Sequence, residues 1–144
     1  MRGATLTRRV RFSATHRYHR PEWTDAQNRA AFGACAAPEA HGHDYVCDIT
    51  VGGDLDDSTG MVIDLGLLDR VLDEQVVRRL NGKLVNDAID TFATGRSIPT
   101  CEAMARALAE NIAAALATEG ARARVASVRV AEDDSLSATW TTDL

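Results

Sequence analysis

The chain has 144 residues, the length of one domain with one sizeable core. Its 16 Lys and Arg against 21 Asp and Glu leave a formal charge of −5. That excludes a general nucleic-acid binder, because neutralising phosphates needs a basic surplus. With 45% hydrophobic and 26% charged residues the chain is neither disordered nor fibrous. No apolar stretch approaches the roughly 18 residues that a membrane span requires. The three cysteines, Cys35, Cys47 and Cys101, are odd in number and irregularly spaced. No disulfide framework is expected, and a reducing, cytoplasmic setting is.

Residues 1–11 are Arg-rich and lack acid, as a transit peptide would be. They run straight into a strand pattern without an apolar core segment, so we read them as mature sequence. Residues 5–16 alternate, with Leu6, Val10, Phe12, Ala14 and His16 on one face and Arg9 and Arg11 on the other. Residues 41–52 alternate again, with His41, His43, Tyr45, Cys47, Ile49 and Val51 together. Paired antiparallel, these strands bring His16 near His41 and His43. The 24-residue connection between them is long for a hairpin loop. It carries a capping-box signature, Thr24 with Gln27, and Gly33 to end the turn.

Asp54 to Gly60 reads as a turn. A helix follows over about residues 66–80, with Leu68, Leu72, Val76 and Leu80 on one stripe. Residues 81–98 read mostly as loop. Thr100 is the expected N-cap of a second helix, with Glu102 in its first turn and Met104, Leu108, Ile112 and Leu116 on one face. Gly120 ends it. Two strands, 125–132 and 136–142, surround an Asp-Asp-Ser turn. The fold class is α+β in the order β-β-α-α-β-β, one domain over residues 1–144.

Three of the four histidines fall at strand ends. His41 and His43, two apart on a strand, point the same way, and His16 supplies a third nitrogen. Three neutral imidazoles with an open fourth position are the pattern of a catalytic zinc ion, Zn2+. The competing reading makes the His-Gly-His run a surface turn and His16 a core residue. His19 reads as a spare loop histidine.

The runs Phe12-Ser-Ala-Thr-His16, Phe32-Gly-Ala-Cys35, His41-Gly-His43-Asp-Tyr45, Gly60-Met-Val-Ile-Asp64 and Pro99-Thr-Cys-Glu102, with Glu132, occur in order over about residues 5–141. Together they resemble the family of 6-pyruvoyl-tetrahydropterin synthase and 6-carboxy-tetrahydropterin synthase. The capped helix before Cys35 looks more like the former. The resemblance implies a tunnelling fold, with a four-stranded antiparallel sheet and two helices. It implies a homo-oligomer, a hexamer formed as a dimer of trimers. It implies a small pterin-like substrate, 7,8-dihydroneopterin triphosphate in the family, from which triphosphate is eliminated. The zinc ligands would be His16, His41 and His43, and the cysteine base Cys35. Glu132 would anchor the pterin ring, with Thr100 and Glu102 near the pocket. Cys47 reads as core and Cys101 as a packing variant.

One run departs from the family pattern. Where members carry an Asp-His proton relay, this chain has Asn81 and Gly82. An amide is no carboxylate base and glycine brings no side chain, and such groups typically contribute about 10²–10⁴-fold in rate. Lys83, Asp87 and Asp90 are the substitutes in the same loop. The leading expectation is therefore a zinc-dependent lyase of altered chemistry, performing one elimination, dehydration or retro-aldol step on a pterin or another hydroxylated molecule. The alternatives are an authentic 6-pyruvoyl-tetrahydropterin synthase and a pterin-binding module without turnover.

Overall fold

A computed structural model describes residues 3–142. In chain order the elements are β1 (Ala4–His16), α1 (Asp25–Phe32), β2 (His41–Gly53), α2 (Leu65–Leu72), α3 (Arg78–Leu80), β3 (Lys83–Leu84), α4 (Val85–Ala88), α5 (Cys101–Thr118), β4 (Arg124–Asp133) and β5 (Leu136–Thr141). The sheet order is β3-β1-β2-β4-β5. All neighbours are antiparallel except β3, which runs parallel to β1.

The alternation read from the sequence decides which face is buried. Phe12, Ala14 and His16 of β1 and Tyr45, Cys47, Ile49 and Val51 of β2 point inward. They meet Leu68, Leu72, Val76 and Leu80 from one helical layer and Met104, Leu108, Ile112 and Leu116 from α5. The opposite face is polar. Arg9 there makes a two-pronged ion pair with Asp48 at 2.7 and 2.9 Å, and Thr7 bonds Thr50 across the strands. That ion pair holds the Asp48 carboxyl below its usual range.

Side-chain caps open both α2 and α5. Asp64 accepts from the Leu67 N–H at the start of α2, and Thr100 accepts from the Ala103 N–H at the start of α5. Gly120, at φ 72°, closes α5. The Gly120 N–H bonds the Ala117 carbonyl and the Ala121 N–H bonds the Leu116 carbonyl, a Schellman turn. Between α2 and α3 the helix widens into a π-helical turn, Asp73–Val77.

Two expectations need correction. The sheet has five strands rather than four, and residues 81–98 are more than loop. Asn81 Oδ1 accepts from the Ser13 N–H, and the Gly82 N–H donates to the Ser13 carbonyl. These bonds dock the segment on the open edge of β1, so that Lys83–Leu84 pairs with Ala14 and Thr15 as a short edge strand. Exposed backbone on an edge needs partners, and the chain supplies them from its own sequence.

Replacing Leu108 by Ala removes a side chain with no solvent exposure. It should cost about 3 kcal/mol in urea unfolding, whereas Thr100→Ala, which removes only a cap, should cost about 1 kcal/mol. A Leu108→Ala protein as stable as the parent would contradict this placement of the core.

Candidate metal centre

The site stands at one end of the sheet. The β1–β2 register sets His16 opposite His41 and Ala14 opposite His43. Because alternate residues share a face, all three imidazoles project to the inner side. His16 Nε2 lies 2.9 Å from His41 Nε2, and one ring nitrogen of each histidine lies within 4.8 Å of the others. Among the described residues this is the one group of three or more His, Cys, Asp or Glu side chains close enough to hold a metal ion. Zinc–nitrogen distances of about 2.0–2.1 Å in tetrahedral geometry require nitrogens some 3.4 Å apart, and the His16–His41 pair at 2.9 Å lies near that spacing.

His16 is in the right protonation state to act as a donor. Burial, with His41 and then His43 adding to it, pushes His16 down to about 4. At neutral pH its imidazole is uncharged and offers a lone pair. His16 Nδ1 lies 2.8 Å from the Tyr45 hydroxyl, and Tyr45 stacks on Phe12 with ring centroids 5.0 Å apart. Burial raises the Tyr45 phenol above its ordinary value, so it stays neutral. With Nε2 facing the cluster, the proton of His16 sits on Nδ1 and is donated to Tyr45, which fixes the ring's tautomer and orientation. His43 Nε2 is buried without a hydrogen-bond partner, as is Glu132 Oε2, 3.5 Å away. These buried, unpartnered atoms beside the three imidazoles fit a site for a cation and its ligand.

The long connection delivers Cys35. The Thr24–Gln27 capping box is present in full and starts α1. Gly33, at φ 58°, turns the chain from α1 into a 3₁₀ turn, Gly33–Ala36, that carries Cys35. Its Sγ lies 3.6 Å from His41 Nε2. Burial and the Glu132 carboxylate push the Cys35 thiol above its ordinary value. Two buried asparagines hold the connection. Asn28 bonds both the N–H and the carbonyl of Arg20, and Asn86 bonds both groups of Arg17. Each side chain imitates a strand neighbour where no strand runs.

Of Glu132, Thr100 and Glu102, Glu132 is the one with a measured contact to the cluster, 3.5 Å from His43. Glu132 is brought to His43 by β4. Thr100 uses its oxygen as the α5 cap, accepting from the Ala103 N–H. Glu102 is exposed in the first turn of α5. Cys101 is buried beside Glu132 and, chiefly through burial, pushed up to about 11. Cys47 is fully buried in the core and pushed up to about 12. His19 is half-buried, 3.4 Å from Arg17. The relay positions stand apart from this work. The Asn81 oxygen is spent on Ser13, and a side chain at Gly82 would enter open space. Lys83 donates its ammonium to the Arg78 carbonyl. A cleft of about 800 Å³ lies where β1 begins and β2 ends, lined by Gly53, Asp54, Met61 and Arg122 among others, without a histidine or cysteine. The histidine cluster sits at the other end.

Tyr18 and Tyr45 join the site without a role in the sequence reading. Tyr45 was within reach, two residues after His43 on the same strand face. Tyr18 lies in irregular chain where no periodicity points anywhere.

Comparisons with known proteins agree with this geometry. Residues 5–143 match the family described as 6-pyruvoyl tetrahydropterin synthase. A Drosophila melanogaster 6-pyruvoyl tetrahydrobiopterin synthase is 39% identical over 109 residues, 76% of this chain and 64% of that protein. A Bacillus subtilis 6-carboxy-5,6,7,8-tetrahydropterin synthase is 34% identical over 91 residues, 62% of this chain and 58% of that protein. The matches thus span less than two thirds of either relative. The solved structure of the Caenorhabditis elegans 6-pyruvoyl tetrahydropterin synthase superposes with a TM-score of 0.87 at 26% identity, covering 99% of this chain and 98% of that one.

His41→Ala should strip most bound metal from the purified protein. Tyr45→Phe should keep the fold and weaken metal affinity about 10- to 100-fold, read by chelator competition. Unchanged affinity in Tyr45→Phe would contradict the orienting bond.

Proposed function

The chain belongs to the 6-pyruvoyl tetrahydropterin synthase family, and on that footing we propose that it is a zinc-dependent lyase that eliminates triphosphate from 7,8-dihydroneopterin triphosphate. The observation that carries the reading is the convergence of His16, His41 and His43 with Cys35, 3.6 Å from His41. This is the authentic activity rather than the altered chemistry expected from Asn81 and Gly82. The curated relatives with the higher identities bear the synthase's name, and the two relay positions lie outside the triad's own contacts. A binding module without turnover would have little use for three metal-ready imidazoles beside a thiol.

The triad would hold the zinc ion. When bound, zinc supplies Lewis-acid polarisation of the substrate's side-chain oxygens, which acidifies the neighbouring C–H and O–H protons. Cys35 takes a proton from one face of the side chain, since a nearby cation lowers a thiol pKa against the burial that raises it. The unpaired Glu132 oxygen accepts from the N–H groups of the pterin ring. The Thr100 hydroxyl and the Glu102 carboxylate border the ring. With no Asp-His pair in this chain, proton handling falls to Cys35, close to the cluster.

The sheet supports assembly into a hexamer of two trimers. β5 is one edge, and β1 is covered by β3 only at Ala14 and Thr15, so both edges offer backbone to a second copy. No described helix is long and apolar enough to cross a membrane. The three cysteines are free, which fits the cytoplasm.

Zinc-loaded protein incubated with 7,8-dihydroneopterin triphosphate should give 6-pyruvoyl-tetrahydropterin and free triphosphate by mass spectrometry. Cys35→Ala should retain the metal and lose turnover by at least about 10²-fold. A side-chain-cleaved pterin, or no reaction, would reject the authentic activity. A fully active Cys35→Ala protein would reject the base.

A further inference from the structure

The pairing of β1 stops at the metal-ready residue it carries. Its last partner on β2 is His41, opposite His16, and its last partner on β3 is Leu84, opposite Thr15. Beyond that point no strand runs beside the chain, and the next two residues are held by other means. On one side the Asn86 side chain, 9% exposed, takes the place of a strand. Its Oδ1 accepts from the Arg17 N–H at 2.9 Å, and its Nδ2 donates to the Arg17 carbonyl at 2.9 Å. Nδ2 also donates to the Phe92 carbonyl at 3.2 Å, which ties the amide to its own segment. On the other side the same two residues grip the turn that carries Cys35. Arg17 Nε donates to the Ala37 carbonyl at 3.0 Å, and the Tyr18 N–H donates to the Cys35 carbonyl at 2.9 Å. An amide that bonds both backbone groups of one residue fixes where that residue sits and which way it faces. Asn86 therefore reaches the Cys35 turn through Arg17, and its own side-chain bonds go to Arg17 and Phe92.

We propose that Asn86 is a positioning residue: acting through Arg17, it fastens the Cys35 turn to the strand end that carries His16, and so sets the place of the thiol relative to the three imidazoles. The inference rests on the reading of Cys35 as the base. The tolerance is small. Cys35 Sγ lies 3.6 Å from His41 Nε2, and a misplacement of about 1 Å costs a reacting group about 10²-fold in rate. The segment that brings no relay side chain at Asn81 and Gly82 contributes to the site through Asn86 instead.

The test compares full-length parent, Asn86→Ala, Arg17→Met and the double variant. Arg17→Met removes only the bond to Ala37 and keeps the test alive if Asn86→Ala fails to fold. The first readout is the rate of iodoacetamide labelling at each cysteine, followed by peptide mass spectrometry. Cys35 is partly exposed, whereas Cys47 and Cys101 are buried and report on the rest of the fold. Each single substitution should speed labelling of Cys35 about tenfold by easing local opening of its turn, and leave Cys47, Cys101 and metal content unchanged. The double variant should fall short of the product of the two effects, because both act on one connection. With zinc and the triphosphate substrate, kcat should fall at least about tenfold while KM stays within about twofold. Unchanged labelling of Cys35 would overturn the inference and leave the function standing. So would equal acceleration at all three cysteines, which is general loosening, a multiplicative double variant, or a loss of metal, which would assign Asn86 to the triad. A parent that turns over no substrate would overturn the reading of Cys35 as the base, and this inference with it.

Discussion

The antiparallel register of β1 with β2 is the constraint on which the rest depends. It runs unbroken from Ala4 opposite Gly53 to His16 opposite His41. A slip of one residue would turn every side chain of one strand to the other face. Phe12 would leave the core, and His16 would leave His41 and His43. One pairing thus sets both the buried face and the metal-ready cluster, so the hydrophobic alternation that stabilises the sheet also enforces the site's geometry.

Around that pairing, polar groups are placed where the backbone would otherwise go unpaired. Asn81 and Gly82 cover the β1 edge, while Asn28 and Asn86 tie down the connection that carries Cys35. Buried polar side chains such as Asn28 and Asn86 are costly unless satisfied, and each bonds both backbone groups of one partner, Arg20 or Arg17. The result is a thiol, a carboxylate and two phenols held around three imidazoles by rigid neighbours. Site geometry of that kind comes from the scaffold and not from the reacting groups alone.

Much of this was legible in the sequence. Parity placed the histidines, and Thr24 with Gln27, Thr100 and Gly120 marked their helix ends, because caps and alternation are local signals. The missing parts are tertiary. Asn81-Gly82 reads as a turn, and its docking on Ser13 depends on an edge 68 residues away. Asn28 and Asn86 look like ordinary loop polar residues until their partners, Arg20 and Arg17, are in place. Glu132 has no local signal beyond a charge at a strand end. It reaches the cluster because β4 pairs Ala131 with Val46, which turns the next side chain to the inner face beside His43. The altered chemistry expected from the relay positions rests on one run of the sequence, whereas the relatives that carry the synthase's name favour the alternative.

The most direct test of the central claim, that strand register builds a three-histidine metal site, is zinc K-edge X-ray absorption on the purified protein. The account predicts one zinc per chain held by three imidazole nitrogens at about 2.0–2.1 Å, with one further position. The imidazole signal should be lost in His16→Ala. A sulfur-dominated shell, or a metal signal unaltered by that substitution, would contradict it.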